Sequence, residues 1–169
     1  MNKTILLSVA ALFFALFLTE GAVAQDDFAI TGTYQIEKGQ RHGWLILNVT
    51  IPEGHHIYAL TQKGTPPPTK IKLADSKQFK LIKKFTSNKK PKVIEHDPIF
   101  KQRMEEYEGK VALMAPISVA EGVDLDSVAF DLKITGQVCS DSGCMPFTDK
   151  AIEITFAGYY EKENKEEGK

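Results

Sequence analysis

The chain has 169 residues, 21 of them basic and 22 acidic, for a formal net charge of −1 with neutral histidines. That balance gives no broad electrostatic basis for binding nucleic acid or anionic lipid, and no nucleic-acid partner is expected. Two cysteines in a chain that is 43% hydrophobic describe an ordinary globular domain rather than a disulfide-dense scaffold.

The N-terminus reads MNKTILLSVAALFFALFLTEGAVAQDD: a basic Lys3, an apolar run from Ile5 to Leu18, then Ala22-Val23-Ala24. These are the three regions of a secretory signal peptide, with an A-x-A cleavage site. The apolar run is 14 residues, short of the roughly 20 that a membrane-spanning helix needs. Residues 1–24 are therefore expected to be removed, leaving an exported mature chain with no membrane span. No cysteine stands near the cleavage site to carry a lipid anchor.

The rest divides into a single domain over 25–160 and a charged tail over 161–169, EKENKEEGK, which lacks apolar residues and is expected to be disordered. Within the domain, GWLILNVTI (43–51) places Leu45, Leu47, Val49 and Ile51 on one face and Asn48 and Thr50 on the other. SVAFDLKITGQV (127–138) and KAIEITFAG (150–158) alternate in the same way. Period-2 alternation of this kind predicts half-buried strands of an antiparallel sheet. Weaker strands are predicted over 28–36, 55–60, 69–73, 79–85 and 110–119, punctuated by turn signals such as Pro52-Glu53-Gly54 and Glu121-Gly122. Residues 97–107, DPIFKQRMEEY, are read as a helical turn or structured loop. The lysines of FKLIKKFTSNKKPK (79–92) are read as solvated strand faces and a turn. The fold expected is an all-β, immunoglobulin-like antiparallel β-sandwich.

Cys139 and Cys144 are separated by SDSG and fall in the hairpin predicted between the last two strands. In an oxidising compartment they are expected to pair. Closing so short a loop contributes only about 2 kcal/mol by the loop-entropy argument. A domain of this size has a core without it, so a redox role stands beside that of a structural staple. A copper site of the cupredoxin kind is not indicated, because no histidine follows Cys144. Adjacent His55 and His56 would point to opposite faces of a strand. Neither a metal nor an organic cofactor is expected.

GQVCSDSGCMPFTDKAIEI resembles the N-terminal periplasmic domain of the thiol:disulfide interchange protein DsbD, in which a strand reaches a cysteine, turns, and resumes at a second cysteine. EGHHIYALTQKGTPPPTKIKL and HDPIFKQRMEEYEGKVALMAPISV are similar to that family's upstream strand pair and cap-loop region, so the likeness covers most of residues 28–158. The resemblance implies a periplasmic sandwich whose cysteine pair, Cys139 and Cys144, exchanges electrons with thioredoxin-fold partners. It implies a cap-loop aromatic or apolar shield at Phe100 or Ile99, a cap-loop acid at Asp97, and His56 and Tyr58 beside the pair. Phe147 departs from the family pattern, which has a second proline there. The sequence ends after this domain, so the electron donor and acceptor are expected to be separate chains. The rival expectation is a non-catalytic binding or accessory sandwich whose bridge fixes the hairpin.

Overall fold

The alternating segments pair into two sheets packed face to face. The structure is a computed structural model that describes residues 27–161; the signal-peptide reading of 1–24 and all but the first residue of the predicted tail lie outside the described residues. The strands are β1 (Ala29–Glu37), β2 (His42–Thr50), β3 (His56–Tyr58), β4 (Lys70–Leu73), β5 (Phe79–Leu81), β6 (Thr86–Ser87), β7 (Lys92–Ile94), β8 (Met104–Tyr107), β9 (Lys110–Val119), β10 (Leu132–Ser140), β11 (Gly143–Ile152) and β12 (Ile154–Tyr160). One sheet runs β12-β1-β2-β9-β5 with β6 also on β9; the other runs β11-β10-β3-β8-β7 with β4 also on β10. The described residues contain no helix, hence none able to cross a membrane. The chain is an all-β sandwich, as its patterning predicts.

The core lies between the sheets. Leu45, Leu47 and Val49 of β2 and Val111, Leu113 and Ile117 of β9 meet Ile57 of β3 and Leu132, Ile134 and Val138 of β10, all essentially buried. Each set comes from every second residue, so one face of each strand supplies the apolar burial that drives the two sheets together. Tyr34 of β1 closes one side. Its hydroxyl donates to the Leu125 carbonyl and accepts from the Val128 N–H, and its ring packs on Phe130 and Phe156.

Several local expectations need correction. The segment 127–131 alternates yet forms no strand; β10 starts only at Leu132, and Phe130 instead packs its ring on Tyr34 and Phe79. The end of 97–107 is neither helix nor loop but the short strand β8, hydrogen-bonded to β3 and β7. The strand predicted over 150–158 is two strands. β11 ends at Ile152, and after Glu153 the chain passes to the other sheet, where β12 runs parallel to β1. One strand pair is thus parallel in an otherwise antiparallel sandwich. The cysteine hairpin is β10–β11 and is followed by β12, so it is not the last pairing of the fold.

Candidate functional site

Sheet period two gives the second sheet a separate outer face. On β3, Ile57 points into the sandwich core, while His56 and Tyr58 point the other way. On β8, Tyr107 joins the core and Met104 does not; on β10, Val138 joins it and Cys139 does not. The outward set makes its own buried cluster of Tyr58, Met104 and Cys139, with Ile94 of β7 packed against it. Four short strand segments therefore build a second, smaller apolar centre on the far side of a sheet whose near side is committed to stability.

Cys139 and Cys144 face each other across β10–β11 and form a disulfide, with Cα atoms 4.0 Å apart. Ser140 pairs with Gly143 and leaves Asp141-Ser142 as the turn. Gly143 has φ = +145°, a conformation that favours glycine. The Ser140 hydroxyl accepts from the Ser142 N–H. The two sulfurs are not equivalent: Cys139 is 1% exposed, and Cys144, on the edge strand, is exposed. Phe147, the departure from proline, lies over Gly136 and packs on Phe28 at 5.3 Å between centroids. A Cβ at position 136 would meet that ring at 2.7 Å, so a glycine opposite makes room for the aromatic.

The loop between β7 and β8 forms the facing wall. The Asp97 carboxylate accepts the N–H groups of both Ile99 and Phe100 at 2.8 Å. Its own N–H donates to Gln102 O, and its carbonyl accepts from Lys101 N–H. These four bonds clamp a tight turn that holds two apolar side chains outward: Ile99 is 79% and Phe100 37% exposed. Neither belongs to the buried cluster around Cys139. Between this loop and the cysteine turn lies a cleft of about 1110 Å³, lined by Asp97, Ile99, Phe100, His56, Tyr58 and both cysteines among others. All seven residues singled out in the sequence thus line one cleft. His55 lines it too; it precedes β3, so strand alternation does not govern it, and its ring bonds the Glu53 carbonyl.

The floor holds a charge that sequence reasoning missed. Glu106 is 4% exposed, and burial, which penalises the charged form, raises its carboxyl above the ordinary range. His56 and Lys92 pull it back; Glu108 and Asp97 push it further up. His56 Nε2 lies 3.4 Å from Glu106 Oε1 and is itself buried without a hydrogen-bond partner among the described residues. The Tyr58 phenol is pushed up to about 12, first by burial and then by Glu106 and Asp97. The hidden signal for Glu106 was its strand: with only four residues, two of them acidic, β8 resembles a loop until its pairing is known. Among the described residues no three His, Cys, Asp or Glu side chains converge as a metal site requires.

Residues 23–155 match the family described as thiol:disulfide interchange protein DsbD, N-terminal. No curated protein matches the chain.

Proposed function

The chain belongs to the family of N-terminal domains of the thiol:disulfide interchange protein DsbD, and from that premise we propose that Cys139 and Cys144 are a redox pair that exchanges electrons with thioredoxin-fold partners outside the cytoplasm. The observation that carries the reading is the asymmetry of the pair: an exposed sulfur beside a buried one at the edge of a cleft. In the reductive direction a partner thiolate attacks Cys144 Sγ, the intramolecular S–S bond breaks, and its electron pair passes to Cys139 Sγ. The partner's second thiolate then attacks its own sulfur in the mixed disulfide and releases Cys144 as a thiolate. The domain gains two electrons, and the partner leaves as a disulfide; the reverse sequence oxidises the domain. The signal-peptide pattern of residues 1–24 supports a periplasmic setting, with thioredoxin-fold proteins as donor and acceptor. No metal or organic cofactor enters these steps.

The cap loop supplies selectivity. Ile99 and Phe100, held by Asp97 on the wall opposite the exposed cysteine, restrict the approach of free thiols, because exchange rate depends on access.

One experiment tests both statements. Oxidised protein is mixed with reduced thioredoxin or with glutathione, and its reduction potential is measured by equilibration. Thioredoxin is expected to reduce the pair, with a potential above the roughly −300 mV typical of structural disulfides. Ile99→Ala with Phe100→Ala is expected to raise the glutathione rate several-fold without raising the thioredoxin rate. A potential well below that mark, with no reduction by thioredoxin, would leave the bridge as a hairpin staple in a binding module.

A further inference from the structure

The pair formed by half-buried His56 and buried Glu106 has no part in the electron steps above, and its cost to the fold calls for a use. A buried polar atom without a partner is unfavourable and rare in native structures. His56 Nε2 is such an atom, and the buried Glu106 carboxylate lies 3.4 Å from it. The neighbouring Lys92 of β7 is bonded to Glu108 at 2.6 Å. On its other side His56 directly opposes Cys139 in the β3–β10 ladder. Directly opposed residues carry their side chains on the same face with Cβ atoms about 5 Å apart, and here that face is the cleft floor. Glu106, His56 and Cys139 therefore occupy consecutive strands, β8, β3 and β10, on one face.

We infer that His56 and Glu106 together hold the proton that Cys139 exchanges during disulfide opening and closing, so that the buried cysteine is served by a built-in acid and base. The inference rests on the exchange reading of the cysteine pair and adds its proton path. When the partner thiolate attacks Cys144 Sγ, the Cys139 sulfur leaves as a thiolate with the electron pair of the broken bond. The His56 imidazolium gives it a proton and becomes neutral, leaving a Cys139 thiol beside an ionised Glu106. Solvent in the cleft then reprotonates the pair. In the oxidative direction the unprotonated pair takes the Cys139 proton, making the thiolate that attacks the mixed disulfide. The device has a purpose that follows from exchange chemistry. A free Cys139 thiolate beside the new mixed disulfide would attack it and expel the partner, since the thiolate is the nucleophile. Protonation holds the intermediate open long enough for the partner's second thiol to act.

Charged groups from several elements face the pair. From β8, Glu108 adds negative charge that Lys92 of β7 offsets through their ion pair. Asp97 of the cap loop disfavours ionised Glu106, and the Tyr58 phenol on β3 stays neutral. At the rim Glu53, Lys110 and Asp141 are exposed and His55 is half-buried.

The test uses dithiothreitol as the probe. The reduction rate of the oxidised protein is measured from about pH 5 to 9, the range in which an imidazole and a raised carboxylate exchange protons, and divided by the concentration of dithiothreitol thiolate. Attack without an internal acid gives a quotient independent of pH. Wild-type protein is expected to show a quotient that falls roughly tenfold as the pair loses its proton. His56→Gln and Glu106→Gln are expected to be flat at the low, high-pH value, and the Cys139 thiolate absorbance of the reduced protein is expected to titrate at a different pH in each. A flat wild-type profile, or variants that fall as the wild type does, overturns the inference. The wild-type profile decides even if a variant fails to fold. Failure of the exchange reading is seen separately, as wild-type protein that thioredoxin does not reduce.

Discussion

Cys139→Ala is expected to capture, as a lasting mixed disulfide, a thioredoxin-fold protein that keeps only its attacking cysteine, activated as a mixed disulfide with an aromatic thiol, whereas Cys144→Ala captures almost none. The single remaining thiol decides the result. In the first variant it is Cys144, exposed on the edge strand β11, with no second cysteine in the chain to resolve the adduct. In the second it is Cys139, 1% exposed and packed among Tyr58, Met104 and Ile94. A partner reaches that sulfur only after local opening. Opening that requires about 3 kcal/mol slows capture by on the order of a hundredfold. Non-reducing electrophoresis after acid quenching, with that single-cysteine thioredoxin as the bait, reads the ratio directly. Equal capture by both variants would mean that the cleft floor opens freely and that burial does not order the two steps. Capture by neither would count against exchange altogether.

Gly43→Ala should be the most damaging small substitution in the sandwich. Gly43 is buried in β2, paired with Ile36 of β1 on one side and Ile117 of β9 on the other. A Cβ built there would stand 1.9 Å from the Gln35 carbonyl oxygen and 2.8 Å from its carbon. Those are backbone atoms, which cannot turn aside as a flexible side chain does. Relief requires β1 to move, and β1 carries two ladders, to β2 and to β12. A loss of about 3 kcal/mol or more is expected, a large share of the stability of a domain this size. The melting temperature should fall by on the order of 10 °C. Urea titration should show a lower midpoint at an unchanged slope, and protein that remains folded should still be reduced by thioredoxin at the wild-type rate, because the cleft lies on the other sheet. A loss below about 1 kcal/mol would mean that the β1–β2 ladder yields near its end.

These two substitutions sample what the sequence does and does not disclose. The β2 and β9 strands were legible because each has one dry and one wet face, which writes alternation into the residues. The β11 strand was not. As an edge strand it is exposed at nearly every position from Gly143 to Ala151, so no alternation marks where it begins, and the second cysteine reads as part of a loop. Its bulge at Asp149, where φ is +45° and the N–H donates to Thr135 Oγ1, also interrupts the pattern. The segment 127–131 failed in the opposite sense: Val128 and Phe130 are apolar because they fill the end of the sandwich, with no strand partner to bond. For the site, motif resemblance pointed to the residues that line the cleft, since these lie in contiguous stretches. Glu106 escaped because its meaning depends on register. Only the pairing of β8 with β3 puts its carboxylate beneath His56 and Tyr58.

The β10–β11 ladder continues on both sides of the disulfide, from Ser140–Gly143 at the turn to Leu132–Ile152 at the far end. Cleaving the sulfur–sulfur bond therefore removes one link from a fastener that stays closed everywhere else. The two thiols remain opposite each other, tethered at a local concentration far above that of any dissolved thiol. Reduced and oxidised domains are then expected to share one backbone, with no shape change to announce the number of electrons on board. Under the proposed exchange function, a partner would learn that only by attempting the reaction, and the domain would be a carrier whose cargo is invisible from outside.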